Sequence, residues 1–146
     1  MHRIRNTAAL VSLILLLSAC AVFAPRYDPV VGPATSQAYT LASQLLSQID
    51  LGKYPDPSSF NGALDDYAAI DAQLATAEMR ASALPVSTRI ARGARDDLVS
   101  FIQGCRAQIR SLADQHRRFG FPTLIGATQP ARISCDQAAR AANALQ

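Results

Sequence analysis

Tryptophan is absent from this sequence, and aromatic residues make up only 6% of it. Aromatic and β-branched side chains favour strands, whereas much of the 49% hydrophobic share here is alanine and leucine, which favour helices. A chain of 146 residues has room for one hydrophobic core and too little length for two ordinary domains. The composition therefore predicts one compact helical domain.

The sequence also lacks the signatures of several enzyme and cofactor classes. It contains no glycine-rich phosphate loop, no nucleophile elbow and no Cys-x-x-Cys-His haem motif. His2 lies in the N-terminal signal-like segment, so His116 is left alone for a metal site that would need several ligands. We expect no cofactor, no metal and no catalytic residue, and we interpret His116 as a histidine at the edge of the core.

A large charge of one sign is missing as well. The formal charge of +3 includes Arg3 and Arg5 in the N-terminal segment, and without these two the 14 basic residues become 12, against 11 acidic residues. A nearly neutral domain has no general attraction to a polyanion. We therefore expect no nucleic-acid partner.

The first twenty residues have the three-part layout of a secretory signal. Arg3 and Arg5 precede an apolar run over 8–17, which is too short for a stable membrane anchor, and Ser18-Ala19-Cys20 follows. The segment Leu17-Ser18-Ala19-Cys20 resembles the lipobox of bacterial lipoproteins. The alternatives are an ordinary secretory signal in which Cys20 is incidental, or an uncleaved anchor.

The lipobox resemblance implies a chemistry and an address. Its class transfers diacylglycerol to the Cys20 thiol, cleaves the chain before Cys20 and usually acylates the new amino terminus, with palmitate as a typical chain. Several acyl chains together hold a protein firmly on a membrane. Ala21 stands where the class often has an aspartate that retains lipoproteins in the inner membrane. The resemblance thus implies the periplasmic face of the outer membrane.

The chain divides into a signal peptide at 1–19, a lipidated tether at 20–33 and a helical domain at 34–146. Four tether residues disfavour helix, namely Pro25, Pro29, Gly32 and Pro33. Three others are apolar enough to lie against the domain, namely Tyr27, Val30 and Val31. Whether the tether is docked or free is left open by the sequence.

Periodicity and helix punctuation predict four helices in the domain. The first runs from about Thr35 to Leu51, and the second follows a cap at Ser58 or Ser59 and reaches about Leu84. On the second helix we expect an apolar face made of Phe60, Leu64, Tyr67, Leu74 and Ala81.

The third helix begins after Ser87 or Thr88 and reaches Arg118. Its apolar stripe is the strongest periodic signal in the chain and consists of Ile90, Ala94, Leu98, Ile102, Cys105, Ile109, Leu112 and His116.

A shorter fourth helix ends near Leu145. It begins either at a capping box of Ser134 and Gln137 or near Thr128. Its apolar face is made of small residues with one leucine: Cys135, Ala138, Ala142 and Leu145.

Two cysteines remain once Cys20 is acylated. In an oxidising periplasm an isolated pair of cysteines is most simply a disulfide. Cys105 lies in the middle of the third helix's stripe and Cys135 lies on the apolar face of the fourth. Packing these two faces together brings the cysteines into contact, so we expect a structural Cys105–Cys135 bond.

Charged residues beside the core allow two interpretations. Asp71 and Glu78 flank the apolar face of the second helix, about 10 Å apart, and we favour boundary salt bridges over a pair of acid–base catalysts. Five arginines of the third helix project within a sector of about 60° and form what we call the arginine ridge: Arg92, Arg95, Arg106, Arg110 and Arg117.

Because guanidinium groups match carboxylates and phosphates, the arginine ridge can bind an acidic partner, a lipid headgroup or an anionic glycan. The plainer interpretation, which we favour, is a solvated flank partly neutralised by the second helix, with Glu78 close to Arg92 and Arg95.

We therefore expect an all-α fold, a small antiparallel bundle of about four helices, three long and one short, with one disulfide. The expected function is a non-enzymatic interaction or structural module, anchored at Cys20 and engaging another envelope protein. The alternatives are a superinfection-exclusion or immunity-type blocking lipoprotein, or a carrier of a small apolar ligand. The predicted mature domain resembles small uncharacterised proteobacterial lipoproteins, and this resemblance implies no specific role.

Overall fold

The computed structural model describes residues 28–122 and 126–145. These ranges contain four α-helices and no strand, so the all-α fold class is confirmed. The helices are α1 (Val31–Asp50), α2 (Leu64–Ser82), α3 (Arg89–Phe119) and α4 (Gln129–Asn143), and a 3-10 helix (Pro57–Ala63) leads into α2.

The four helices form a closed ring around one core. α1 packs on α2 and α4, and α3 packs on the same two helices. Short connections make successive helices antiparallel neighbours. The centre is filled by the branched residues of α1, α2 and α3, of which the largest fully buried ones are Leu45, Leu46, Ile70, Leu74, Leu98, Ile102 and Ile109.

Helix α1 begins four residues before the predicted start. Val31 and Gly32 are buried in its first turn, and Pro33 fits there because the first-turn N–H groups have no partner within a helix. The prediction that Gly32 and Pro33 keep this stretch out of a helix is therefore wrong. The described part of the predicted tether, residues 28–33, is docked on the bundle, while residues 1–27 lie outside the described ranges.

Helix caps correct two of the predicted starts. Asp56 caps the 3-10 helix, accepting hydrogen bonds from the N–H groups of Ser58 at 2.9 Å and Ser59 at 3.3 Å, so neither serine is itself the cap. Of the two starts predicted for α4, the one near Thr128 is confirmed and the Ser134 capping box is wrong. The predicted α3 start is confirmed, with the Thr88 hydroxyl accepting from Ala91 N–H at 3.0 Å.

Most of the predicted α3 stripe is buried, but its first residue is not. Ile90 is 62% exposed and Ala94 is half-buried, while Ala91 is fully buried instead. On α2 the predicted core residue Leu64 is also exposed, at 47%. At about 100° per residue, Ile90 lies about 80° from Leu98 and Leu64 about 80° from Leu74, so both project from the edge of the buried stripe.

Helix α3 extends beyond both of its neighbours at its N-terminal end. The Gln103 side chain donates to Glu78 at 2.8 Å, and α2 ends four residues after Glu78. Cys105 is bonded to Cys135, and α4 ends eight residues after Cys135. Residues 89–96, which we call the α3 overhang, therefore project past both helix ends by about 12 Å.

At the opposite end of α3 the chain turns at a glycine that no other residue can replace easily. Gly120 has φ +66°, and a Cβ atom there would overlap the backbone of Asp56. The next residue fixes this approach, because Phe121 N–H donates to the Tyr54 carbonyl at 3.0 Å. Close contact between two loops thus closes this end of the bundle.

We expect Gly120→Ala to lower the free energy of unfolding by about 2 kcal/mol or more, because it adds both backbone strain and an overlap with Asp56. Urea denaturation measures the change. Gly93→Ala is the matched control, since Gly93 is helical with open space around it and alanine should raise stability by up to about 1 kcal/mol. Equal losses in both variants would contradict the close approach.

Candidate functional site

The predicted disulfide joins the middle of α3 to α4. Cys105 and Cys135 are bonded, with their Cα atoms 4.5 Å apart, and both are 1% exposed. Closing a loop with a sequence separation of 30 should stabilise the fold by roughly 3 to 4 kcal/mol in chain-entropy terms. The bond attaches α4, whose buried side chains are small and remove little apolar area from water.

The predicted lipidation residue, Cys20, lies outside the described residues, but the point where the chain joins the bundle is described. The Asp28 carboxylate accepts from Val30 N–H at 2.8 Å and pairs with Arg80 in the last turn of α2 at 2.9 Å. The Val30 N–H and the Arg80 guanidinium hold the pKa of Asp28 below its usual value. The chain therefore meets the bundle at the end formed by the α2–α3 connection.

Arg106 is the centre of an ionic cluster between α2 and α3. It donates to Asp71 at 2.8 Å and to Glu78 at 2.8 Å, and Arg110 donates to Asp71 at 2.8 Å. Hydrogen bonds from Arg106 lower the pKa of Asp71 to about 2, and the two carboxylates raise the pKa of Arg106. Asp71 and Glu78 are thus boundary salt-bridge residues, as the sequence indicated.

The other members of the arginine ridge have different surroundings. Arg95 pairs with Asp96 at 2.7 Å and Arg117 with Asp114 at 2.8 Å, both on α3 itself. Arg92 is exposed and has no ion pair among the described residues. Two ridge arginines, Arg106 and Arg110, form ion pairs with α2, and the other three form none with it among the described residues.

The predicted proximity of Glu78 to Arg92 and Arg95 is wrong. Glu78 contacts Gln103 and Arg106 instead. Helix α2 ends at Ser82, so it does not extend alongside the first turns of α3 and offers no carboxylate there.

His116 lies inside the core rather than at its edge. It is fully buried, with Nε2 3.0 Å from the Ser59 hydroxyl oxygen and Nδ1 3.3 Å from the Tyr67 hydroxyl oxygen. Burial lowers the pKa of His116, an effect that the Asp56 carboxylate partly offsets. The ring is surrounded by four aromatic side chains: Tyr54, Phe60, Tyr67 and Phe121.

Two further contacts were missed at the sequence level. Asp50, at the end of α1, accepts from the Thr128 hydroxyl at 2.8 Å and from Arg132 at 2.7 Å, and so ties α1 to α4. The Asp28–Arg80 pair ties the start of the domain to α2. No local pattern identifies such pairs, because the partners are far apart in sequence and meet only once the topology is known.

The surface formed by the described residues includes two open grooves. One of about 230 Å³ lies between α1 and α4 and is lined by Tyr39, Ser43, Arg132, Ile133 and Asp136. The other, of about 330 Å³, lies beside the α2–α3 connection and is lined by Ser82, Arg95, Asp96, Val99, Ser100 and Gln103. Within 28–122 and 126–145 no cluster of histidine, cysteine or carboxylate side chains could hold a metal ion.

None of the helices in the described part of the chain is both long enough and apolar enough to cross a membrane. Comparison of the chain with protein-family models, with curated proteins and with solved structures found no match.

We expect Arg106→Gln to lower the free energy of unfolding by about 1 to 2 kcal/mol, because it removes charge-assisted hydrogen bonds to two carboxylates. Asp71 has a folded-state pKa of about 2 against 3.8 ordinarily, so its contribution is complete above pH 3.8 and is lost as the pH falls towards 2. The difference in free energy of unfolding between wild type and Arg106→Gln should therefore shrink as the pH falls from 3.8 towards 2. Urea denaturation at several pH values measures this difference.

Arg92→Gln is the matched control on the same ridge. Since Arg92 has no ion pair within the described residues, its replacement should change stability by less than about 0.5 kcal/mol. A loss as large as that of Arg106→Gln would show that the ridge does not divide into paired and unpaired members.

We expect His116 to make the fold less stable as the pH falls below 6.5, the ordinary histidine pKa. Its pKa is lowered in the folded state, so the unfolded chain takes up the proton first and unfolding becomes easier. Urea denaturation measures the free energy of unfolding between pH 7 and pH 5. We expect this free energy to fall with pH in the wild type, and this slope to be absent in His116→Gln.

Tyr67→Phe is the control for that slope, since it removes the hydroxyl group near Nδ1 and leaves the buried imidazole in place. It should reduce stability at every pH and keep the pH dependence. A slope that persists in His116→Gln would assign the effect to other groups.

Proposed function

We propose that this chain is a lipid-anchored module of the bacterial envelope, attached through Cys20 to the periplasmic face of the outer membrane. It acts without catalysis, as an interaction or structural element that engages another envelope protein. Its attachment is the acylated Cys20, with palmitate as a typical acyl chain, and its working part is the helical bundle.

Cysteine use is the observation that carries this proposal. Disulfides persist in oxidising compartments such as the periplasm, and the Cys105–Cys135 bond is buried between two helices. That bond accounts for both cysteines of the folded domain. The third cysteine, Cys20, has no thiol partner left in the chain and stands in the segment that resembles a lipobox.

The way the chain joins the bundle supports anchoring. Asp28 is held against Arg80, so a membrane attachment at Cys20 would be linked to a defined end of the bundle. Only seven residues, 21–27, separate the two points, and the fully extended chain from Cys20 to Asp28 spans at most about 29 Å. A domain tethered this closely stays near its membrane and keeps one end facing it.

The described polar groups support a role other than catalysis. Asp71 and Glu78, the two carboxylates whose positions could suit an acid and a base, both form ion pairs with Arg106. His116 is fully buried among aromatic rings, away from any substrate in solution. These groups stabilise the bundle, and such a structural role is consistent with a rigid module on a membrane.

We expect Cys20→Ser to abolish lipid attachment, because only a thiol at that position accepts the diacylglyceryl group in the lipoprotein class. Incorporation of labelled palmitate in cells, followed by mass analysis of the N-terminal peptide of the purified protein, measures it. The wild type should carry acyl chains on a peptide that begins at Cys20, and Cys20→Ser should carry none.

Ser18→Ala is the matched control, since it changes a neighbouring residue and keeps a small side chain in the lipobox. It should be labelled like the wild type. Ala21→Asp should also be labelled but should move from the outer-membrane to the inner-membrane fraction. Unlabelled wild type, or a labelled Cys20→Ser protein, would contradict the proposal.

A further inference from the structure

The α3 overhang, residues 89–96, is a helix end that its neighbours leave partly bare. Ile90 projects on the α4 side of the helix, at the edge of its buried stripe, and is 62% exposed, and α4 ends level with residue 97. Arg92 projects on the side where α2 would lie and is exposed. The overhang thus presents an apolar side chain on one side and a cation on the other, at the tip of the bundle.

The charges at this tip are not balanced at its outermost turn. Arg89 and Arg92 are exposed and have no ion pair among the described residues, and they project about 60° apart on the helix. The positive end of the α3 dipole points the same way. Four other charged groups lie behind this turn and form two ion pairs: Arg95 with Asp96, and Arg80 with Asp28. Asp97 is exposed at the base of the overhang.

The chain also enters the domain at this end. The Ser36 hydroxyl donates to the Asn143 side chain at 3.4 Å, so the second turn of α1 passes the end of α4. Residues 28–31 therefore lie level with the overhang. An attachment at Cys20, at most about 29 Å away along the chain, would draw the overhang towards the membrane.

We propose that the α3 overhang is a membrane-contacting tip, in which Arg89 and Arg92 bind phosphate groups of anionic lipids and Ile90 enters the boundary between the headgroups and the acyl chains. This inference rests on the proposed attachment at Cys20, which brings the tip to the surface. Arginine matches phosphate geometry, and a short apolar side chain beside it adds burial at the interface. The contact would fix the orientation of the bundle, with its other end facing the periplasm.

The absence of tryptophan gives a clean test. Ile90→Trp places one fluorescent reporter on the tip, and Phe119→Trp places one at the other end of α3, where Phe119 is 67% exposed. Each acylated full-length product is purified from membranes and reconstituted into vesicles of equal parts brominated phosphatidylcholine and phosphatidylglycerol. Bromine quenches only a reporter that reaches the acyl chains.

We expect quenching at position 90 to exceed that at position 119 by about twofold or more, because only the tip reaches the interface. Adding Arg89→Gln and Arg92→Gln should lower it, since each arginine near an anionic surface strengthens contact roughly fivefold. Arg117→Gln with Arg118→Gln removes the same charge from the far end and should leave the quenching at position 90 unchanged.

Mass analysis of the same samples separates the two proposals. Acylated protein with equal quenching at both positions, or with none at position 90, would overturn the membrane-contacting tip and leave the anchor standing. Protein without acyl chains would overturn the anchor, and with it the orientation that the tip requires. Quenching confined to position 90 and weakened by the tip arginine changes would support the inference.

Discussion

The covalent bond between Cys105 and Cys135 sets the relative position of two helices of unequal length. Helix α3 has 31 residues and α4 has 15, and the bond lies near the middle of each. The short helix can therefore cover only the central part of the long one. Both ends of α3 extend past α4, and the remaining chain has to cover them or leave them exposed.

The two ends of α3 differ in how far the rest of the chain covers them. At the C-terminal end, the 3-10 helix and two loops supply aromatic rings around His116, and Gly120 lets the loops approach closely. Burying a histidine is tolerated there because both ring nitrogens lie within hydrogen-bonding distance of hydroxyl groups, from Ser59 and Tyr67. At the N-terminal end Ala91 is covered, but Ile90 and Arg92 are not.

Sequence periodicity predicted the elements well and their neighbours poorly. The stripe from Leu98 to His116 follows from helical spacing, and the disulfide follows from placing one cysteine on each of two apolar faces. Periodicity says which side of a helix faces inward, but it does not say where the facing helix stops. Four-residue steps predict Ile90 in the core, but each such step drifts by about 40°, so Ile90 lies about 80° from Leu98 and is exposed.

The aromatic cluster was missed for a related reason. Tyr54 and Phe121 belong to loops, where no period marks a buried side chain, and they reach His116 only because Asp56 and Gly120 come together. Helical spacing placed His116 on the inner face correctly, but the depth of its burial depends on these loop residues.

The arginine ridge shows most clearly how helix length decides what a side chain does. Arg106 and Arg92 occupy nearly the same angular sector of α3, yet Arg106 binds two carboxylates of α2 and Arg92 has none to bind within the described residues. The difference lies in the neighbour, because α2 extends alongside one residue and ends before the other. A paired arginine contributes to holding the bundle together, whereas an unpaired one leaves its guanidinium group to the solvent. The ridge arginine without an ion pair among the described residues therefore lies where the helices are mismatched in length, at the end where the chain enters the bundle.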